Sequence, residues 1–479
     1  MVRTRFAPSP TGYMHIGNLR SALYAYLFAR HNGGSFLLRI EDTDLERYVE
    51  GATDIIYRTL KDVGLTWDEG PDIGGAYGPY VQSQRKAMYL PYVQQLIDSG
   101  HAYRCFCTKE ELEQRREDAA AKGETFRYDK HCLHLSKEEI QAKLDAGVPY
   151  VIRQNVPLTG QTSFTDEIFG TITVDNDTLD DNVLIKADGM PTYNFANVID
   201  DHTMGITHVM RGMEYLSSTP KYNLLYEAFG WDIPKYIHMT PIMKDAQHKL
   251  SKRNGDASYE DLLAKGYLKE AIINYIALLG WNPGDEREKF TLPELVEAFS
   301  VEGMSKSPAI FDPVKLTWLN FEYVRAMDPA DFTRHAMPFY TEAGVGGMDT
   351  DILCRILQPR TELFTQIPGM VGFLTALPEY DVELFTNKKS KTDPVVAAHV
   401  LDMAIAALDA LPNWTEQALH DTLLGLAEQE GMKNGTMLWP VRIALAGQQV
   451  TPGGAIEISM LLGREESMRR LRFGREKLD

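Results

Sequence analysis

Apolar residues recur at helical spacing between Asn18 and Arg30, with Leu19, Leu23, Tyr26 and Leu27 on one face and Gly33-Gly34 as the stop. Short apolar runs flank this helix, Thr4-Arg5-Phe6 before it and Ser35 to Ile40 after it, and both predict buried strands. A second helix is expected from about Tyr48 to Val63, ending near Gly64. Such a strand–helix–strand–helix order predicts a parallel sheet that binds its ligand at the strand carboxyl ends. The pattern changes near residue 100. A charged helical stretch, Lys109 to Lys122, is followed by alternating runs at Tyr150 to Arg153 and Thr171 to Val174, which predict an α+β insertion with its own small sheet. The earlier pattern resumes at Val183 to Lys186 and Thr207 to Arg211, so one core sheet is split by the insertion. From about residue 256 helices dominate, and residues 326–479 read as all-helical. Asp393-Pro394 opens one of these helices, with Val396, Val400, Met403, Ala407 and Leu411 on the face expected to be buried.

A chain of 479 residues has room for two or more domains. No apolar run approaches membrane-spanning length and no secretory start is evident, so the cytosol is the expected compartment and the Asn-x-Thr triplets at Asn176, Asn413 and Asn434 are chance matches. The net charge of −18 does not exclude nucleic acid. A local basic surface is enough for phosphate contact, because distant acidic groups are screened beyond roughly 8–10 Å. Four cysteines are too few for a disulfide framework, which leaves metal binding or packing.

Pro8-Ser9-Pro10-Thr11-Gly12 leads into His15-Ile16-Gly17-Asn18 between the first strand and the first helix. Unpaired N–H groups at a helix start attract phosphate, His15 and Asn18 add side-chain donors, and Gly17 lets a flat base approach the backbone. An ordinary capped turn would read the same way in isolation. Far downstream, Lys249-Leu250-Ser251-Lys252-Arg253 follows the strand-like His238 to Met243. Lysines on such a loop can neutralise charge that develops on a pyrophosphate leaving group, although most basic runs are merely solvated. Gly303-Met304-Ser305-Lys306-Ser307 spells a similar loop, but it follows a helix and holds one lysine, so it reads as a turn. No G-x-G-x-x-G or G-x-x-x-x-G-K-[ST] motif occurs.

Arg5 and Arg211 end two core strands and suggest paired guanidinium clamps for a small acid. Tyr193 and Asn197, four residues apart, are expected to face the same pocket, and Glu41 at the end of the second strand suits an ammonium group. Asp44 reads as the cap of the next helix. Cys105-x-Cys107 and Cys132-x-His134 fit a closed, four-ligand structural zinc site, with buried thiols as the plainer alternative. Cys354 reads as packing.

These stretches resemble bacterial glutamyl-tRNA synthetases, a class I aminoacyl-tRNA synthetase family, along essentially the whole chain. Further landmarks of the resemblance are Arg39-Ile40-Glu41-Asp42-Thr43-Asp44, Pro191-Thr192-Tyr193 through Asn197, Val198-Ile199-Asp200-Asp201-His202, Leu438-Trp439-Pro440-Val441-Arg442 and Thr451-Pro452-Gly453. Asn18 stands where the general first signature ends in histidine. The resemblance implies an α/β fold: a split Rossmann-type parallel-sheet catalytic domain, an α+β insertion and an all-α C-terminal anticodon-binding region. Residues 1–100 and 191–240 would be the catalytic halves and 101–190 the acceptor-binding insertion with its zinc site. Residues 241–325 would contact the tRNA stem and 326–479 would read the anticodon. It implies glutamate contacts from Arg5, Ser9, Glu41, Tyr193, Asn197 and Arg211, and ATP contacts from Pro8, His15, Gly17, Asn18, Glu214 and Lys252. His15, Lys249 and Lys252 would stabilise charge, and Cys105, Cys107, Cys132 and His134 would hold structural zinc.

The implied partners are L-glutamate, ATP with Mg2+ and tRNA-Glu, with a monomer expected and no membrane partner. Charging of tRNA-Gln is left open, with Gln358 in Leu357-Gln358-Pro359-Arg360 permitting a relaxed reading of the anticodon. The implied reaction has two steps, formation of glutamyl-adenylate and then transfer to the terminal ribose 2′-hydroxyl. A glutaminyl-tRNA synthetase is the nearest alternative, and it would carry β-barrels where this chain reads as helical. A non-catalytic tRNA-binding relative is the other.

Overall fold

The structure, a computed structural model, describes residues 1–44, 49–124, 126–250 and 258–479. Ser251, Lys252 and Arg253 of the basic loop lie outside the described residues. The chain divides into two compact units, one formed by Met1–Leu263 with Lys269–Asp312, the other by Ala264–Leu268 with Pro313–Asp479.

The first unit opens with β1 (Arg3–Phe6), α1 (Ile16–His31), β2 (Ser35–Leu38), α2 (Ala52–Asp62) and α3 (Lys86–Asp98). Then come β3 (Ala102–Cys105), α4 (Lys109–Ala121), α5 (Lys137–Asp145), β4 (Val151–Gln154), β5 (Gln161–Asp166), β6 (Gly170–Asp175) and β7 (Val183–Ile185). The α/β pattern closes with α6 (Tyr193–Thr203), β8 (His208–Gly212), α7 (Thr219–Phe229) and β9 (Lys235–Met239). β1 pairs in parallel with β2, and β8 in parallel with β9. Thr207 donates its N–H to the Arg3 carbonyl at 3.0 Å, which sets β8 beside β1. Leu19, Leu23 and Leu27 of α1 are fully buried, as the helical spacing predicts.

Three elements differ from expectation. β7 does not resume the parallel sheet but pairs antiparallel with β4, making an insertion sheet of order β3–β4–β7. The β5–β6 hairpin does the reverse. Its Asp166 pairs in parallel with Tyr236, extending the catalytic strands to the order β6–β5–β9–β8. Thr162, Phe164 and Asp166 form the buried face of β5, and that face gives the hairpin a reason to join the core rather than stand apart. Finally, α2 starts at Ala52 rather than near Tyr48, after Gly51 at φ 79°, a conformation glycine adopts at little cost. Asp44 therefore does not cap it. No side chain caps α2; the neighbouring Asp42 instead holds the turn that leads into α3, accepting the Ser83 backbone N–H at 2.8 Å and the Ser83 hydroxyl at 2.6 Å.

The Gly303–Ser307 stretch is a structural turn, tied down by the Ser305 N–H donating to the Gly280 carbonyl at 2.8 Å. The second unit is helical, and no strand forms among its described residues, in contrast to the β-barrels of the nearest alternative. Asp393 caps the helix Pro394–Asp409 through the Val396 N–H at 2.8 Å, as predicted. The buried face is instead Ala397, Val400, Leu401, Ala404 and Leu408, rotated so that small alanines admit the neighbouring helices closely. Arg470, fully buried, donates to the carbonyls of Phe373, Leu374 and Leu445 and staples three segments together. Gln358 donates its amide to the carbonyls of Val324 at 3.0 Å and Met327 at 2.7 Å.

Candidate active site

At the carboxyl ends of β1 and β8 lies a cavity of about 460 Å³. Eight residues singled out from the sequence line it: Arg5, Pro8, Ser9, Asn18, Glu41, Tyr193, Arg211 and Glu214. Asp44 is in the wall as well. Asn197 is not: its Nδ2 donates to the Tyr193 carbonyl at 2.6 Å, so the helical four-residue step buries its amide behind Tyr193.

A buried ionic chain sets the floor. Arg5 donates from Nε and Nη2 to both oxygens of Asp201, at 3.0 and 3.2 Å. Arg39 donates to Asp201 at 2.7 Å and, from its other edge, to Glu41 Oε1 at 2.9 Å. Asp201 thus carries two guanidiniums. Burial works against its charge, but Arg5 and Arg39 outweigh burial and hold its carboxyl below the usual range. Glu41 has less support, and burial pushes its carboxyl above the usual range despite Arg39. A cation placed against Glu41 would restore its charge.

Arg211 is arranged differently. Its Nε donates to His238 Nε2 at 3.1 Å and its Nη2 to the Thr219 hydroxyl at 2.8 Å. Tyr215 and Tyr222 each place a ring 5.0 Å from its guanidinium carbon, and Tyr236 places one at 5.6 Å. Among the described residues it has no carboxylate partner, although it is almost fully buried. A buried cation held only by neutral groups and ring faces, with one edge on a cavity, is built to receive an anion.

The start of α1 departs from the expected row of open donors. His15 is its N-cap, and His15 Nδ1 accepts the Gly17 N–H at 3.0 Å, which leaves the ring proton on Nε2. Asn18 donates its N–H to the His15 carbonyl at 2.9 Å. Two of the amides meant for phosphate are thus already satisfied by the cap, and neither His15 nor Gly17 lines the cavity. Lys249 is exposed and sits in a bend closed by Met243 pairing antiparallel with Lys249.

Sequence reasoning missed Asp166 and His238, which support Arg211 from behind. Asp201 and Arg39 stand in the sequence only as landmarks of the resemblance. The one available signal was a polar residue inside each of two apolar strand runs, Val209-Met210-Arg211 and Tyr236-Ile237-His238.

In the insertion, the sulfurs of Cys105, Cys107 and Cys132 lie within 4.8 Å of one another, with Cys107 and Cys132 at 3.6 Å. His134 is not among them. It ends the turn His131–His134 and is exposed. The Tyr128 hydroxyl takes the fourth corner, 3.2 Å from Cys105 Sγ and 3.4 Å from Cys107 Sγ. Hydrogen bonding with Cys132, then with Tyr128, lowers the Cys105 thiol against the opposing effect of burial, which favours the form that binds a metal.

Comparison with known proteins agrees with this geometry. Residues 1–318 match the family of class I tRNA synthetases (E and Q), catalytic domain, and residues 331–475 match the anticodon binding domain family. The glutamate–tRNA ligase of Clostridium botulinum (strain Hall) is 58% identical over 477 residues, covering 100% of this chain and 98% of the relative. That of Clostridium tetani is 59% identical over 479 residues, with the same coverage. Among solved structures, a glutamate tRNA ligase from Elizabethkingia meningosepticum in complex with its amino acid superposes with a TM-score of 0.91 at 36% identity, covering 100% of both chains. The glutamate-tRNA synthetase of Elizabethkingia anophelis gives 0.90 at 35%, covering 99% of both. With a split parallel-sheet core, a helical second unit and full-length likeness of this order, the chain belongs to the class I tRNA synthetases for glutamate and glutamine and, within them, to the glutamate–tRNA ligases.

Proposed function

We propose that the chain activates L-glutamate with Mg-ATP in the cavity at the ends of β1 and β8 and esterifies it to tRNA-Glu. The activity is that of the glutamate–tRNA ligases. What supports the location is Arg211, a buried guanidinium that no carboxylate among the described residues neutralises. Arg211 takes the side-chain carboxylate of glutamate, Glu41 the ammonium group, and Tyr193 walls the aliphatic part. Arg5 is largely committed to Asp201, so its role is to fix the floor more than to bind substrate.

ATP lies along Pro8 to Asn18 with Glu214 opposite. The glutamate α-carboxylate attacks the α-phosphorus, and the bond to pyrophosphate breaks. The terminal 2′-hydroxyl of tRNA then attacks the acyl carbon and AMP leaves. No residue is acylated, so rate comes from positioning and charge stabilisation. His15 contributes its Nε2 proton, and a phosphate seated on Gly17 N–H displaces the imidazole from that amide. Lys249, and Lys252 beyond the described residues, meet the leaving pyrophosphate. Exchange of pyrophosphate into ATP that requires both glutamate and tRNA is the expected result. Exchange driven equally by glutamine, or none at all, would reject the reading. Charging assays with purified tRNA-Glu and tRNA-Gln fix the breadth of acceptor use.

Glu41 gives a pH prediction. The ammonium group needs the ionised carboxylate, and the carboxyl is raised by burial. The KM for glutamate therefore climbs on acidification before an ordinary carboxylate would titrate, and Glu41→Gln removes that climb while raising KM throughout. Steady-state charging across pH reads both.

The thiol cluster fits zinc on its own geometry. Tetrahedral Zn–S bonds of about 2.3 Å put sulfurs roughly 3.8 Å apart, close to the 3.6 Å between Cys107 and Cys132. We infer Cys105, Cys107, Cys132 and Tyr128 as the holders of a structural ion that would fix the insertion's fold. Tyr128→Phe then loses zinc to a chelator faster than the parent, by elemental analysis, while His134→Ala does not.

A further inference from the structure

We infer that Asp166 and His238 are positioning residues for substrate recognition: they set the tautomer and acceptor that aim Arg211 into the cavity. The inference rests on the reading above, that Arg211 holds the glutamate carboxylate.

His238 and Arg211 are in-register partners on parallel strands β9 and β8, so their side chains leave the sheet on the same side. His238 is fully buried, and its Nδ1 lies 2.7 Å from Asp166 Oδ2. Its other nitrogen, Nε2, must accept, because Arg211 Nε–H can only donate. The proton is therefore on Nδ1, pointing to Asp166, and the imidazole is neutral. Asp166 is itself locked. Its Oδ1 accepts the N–H groups of Ile168 and Phe169, both at 2.9 Å, and its Oδ2 also accepts the His238 N–H at 3.1 Å. Thr219 holds the second edge of Arg211 and passes its own proton to the Tyr215 carbonyl at 2.8 Å.

The arrangement solves a definite problem. A carboxylate in direct contact would orient Arg211 but also compete with the ligand for its charge. A neutral imidazole orients the guanidinium through one hydrogen bond and keeps the Asp166 charge one ring further away. Asparagine at 166 cannot accept on both edges. With its amide turned toward the ring, His238 shifts to the Nε2–H tautomer, and two donors then face each other at Arg211.

The test uses the full-length enzyme in charging assays, with separate KM values for glutamate, ATP and tRNA. His238→Asn keeps a polar atom toward Asp166 but loses the acceptor for Arg211, whereas His238→Gln keeps the acceptor and loses the contact to Asp166. The expected result is a glutamate KM raised roughly 10- to 100-fold in Asp166→Asn and His238→Asn, most of it recovered in His238→Gln, with the KM for ATP and tRNA little changed. Combining His238→Asn with Arg211→Gln adds no further loss, since one acts through the other. Two outcomes overturn the inference: equal damage from His238→Gln and His238→Asn, or loss confined to kcat or melting temperature. If Arg211→Gln alone leaves glutamate KM unchanged, the location of the carboxylate site fails instead, and the two failures are separable.

Discussion

Replacing Arg211 with glutamine raises the KM for glutamate while the KM for ATP moves little. Removing one partner of a desolvated charge pair costs about 2–5 kcal/mol, roughly 30- to 5,000-fold in KM. The upper part of that range is expected here. Among the described residues of the pocket no second guanidinium is free to substitute, because Arg5 has two of its donors on Asp201 and Arg39 divides its own between Asp201 and Glu41. The variant also relaxes discrimination against glutamine, whose neutral amide no longer competes with a preferred anion. Arg211→Lys restores the charge but neither the planar fork nor the stacking among Tyr215, Tyr222 and Tyr236, so it recovers only part of the loss. Competition between glutamate and glutamine in charging reads both effects, and an unchanged glutamate KM removes Arg211 from the pocket.

Asp201→Ala is expected to be the most damaging change to the fold of the first unit, at about 3–5 kcal/mol, measured by chemical denaturation. It strands Arg5 without a counter-ion beside Arg39, which keeps only Glu41 and the more distant Asp200, and both guanidiniums are nearly inaccessible to water. Glu41 then competes for both and turns from the cavity. The pH dependence follows from the depressed carboxyl of Asp201. Its stabilisation is fully present above the unfolded value near pH 4 and is lost as pH falls through the lower folded value. The parent therefore loses stability on strong acidification, and Asp201→Ala flattens that part of the profile.

Much of the pocket was legible because strand ends and helix starts are local features. Arg5, Glu41 and Arg211 each close a short apolar run, and the Pro-Gly lead into His15 marks a strand-to-helix turn. The parts that escaped depend on distant choices. Asn197 has the right helical spacing, but the Tyr193 carbonyl was nearer than the cavity. His134 completes a C-x-H pair in the sequence, yet the turn carrying Cys132 leaves it exposed, and Tyr128 arrives from four residues before Cys132. The His238–Asp166 contact joins residues 72 positions apart, across a strand exchange that no local periodicity encodes. The Lys252 expectation falls outside the described residues.

The hairpin of β5 and β6 has an engineering consequence. A graft that swaps the 101–190 segment between relatives removes β5 from beside β9 and takes away the carboxylate behind His238. Such chimaeras would lose amino-acid affinity even when they dock tRNA well, unless the donor segment brings its own aspartate to that strand end. The inserted segment and the carboxylate behind His238 are, in this chain, inherited together.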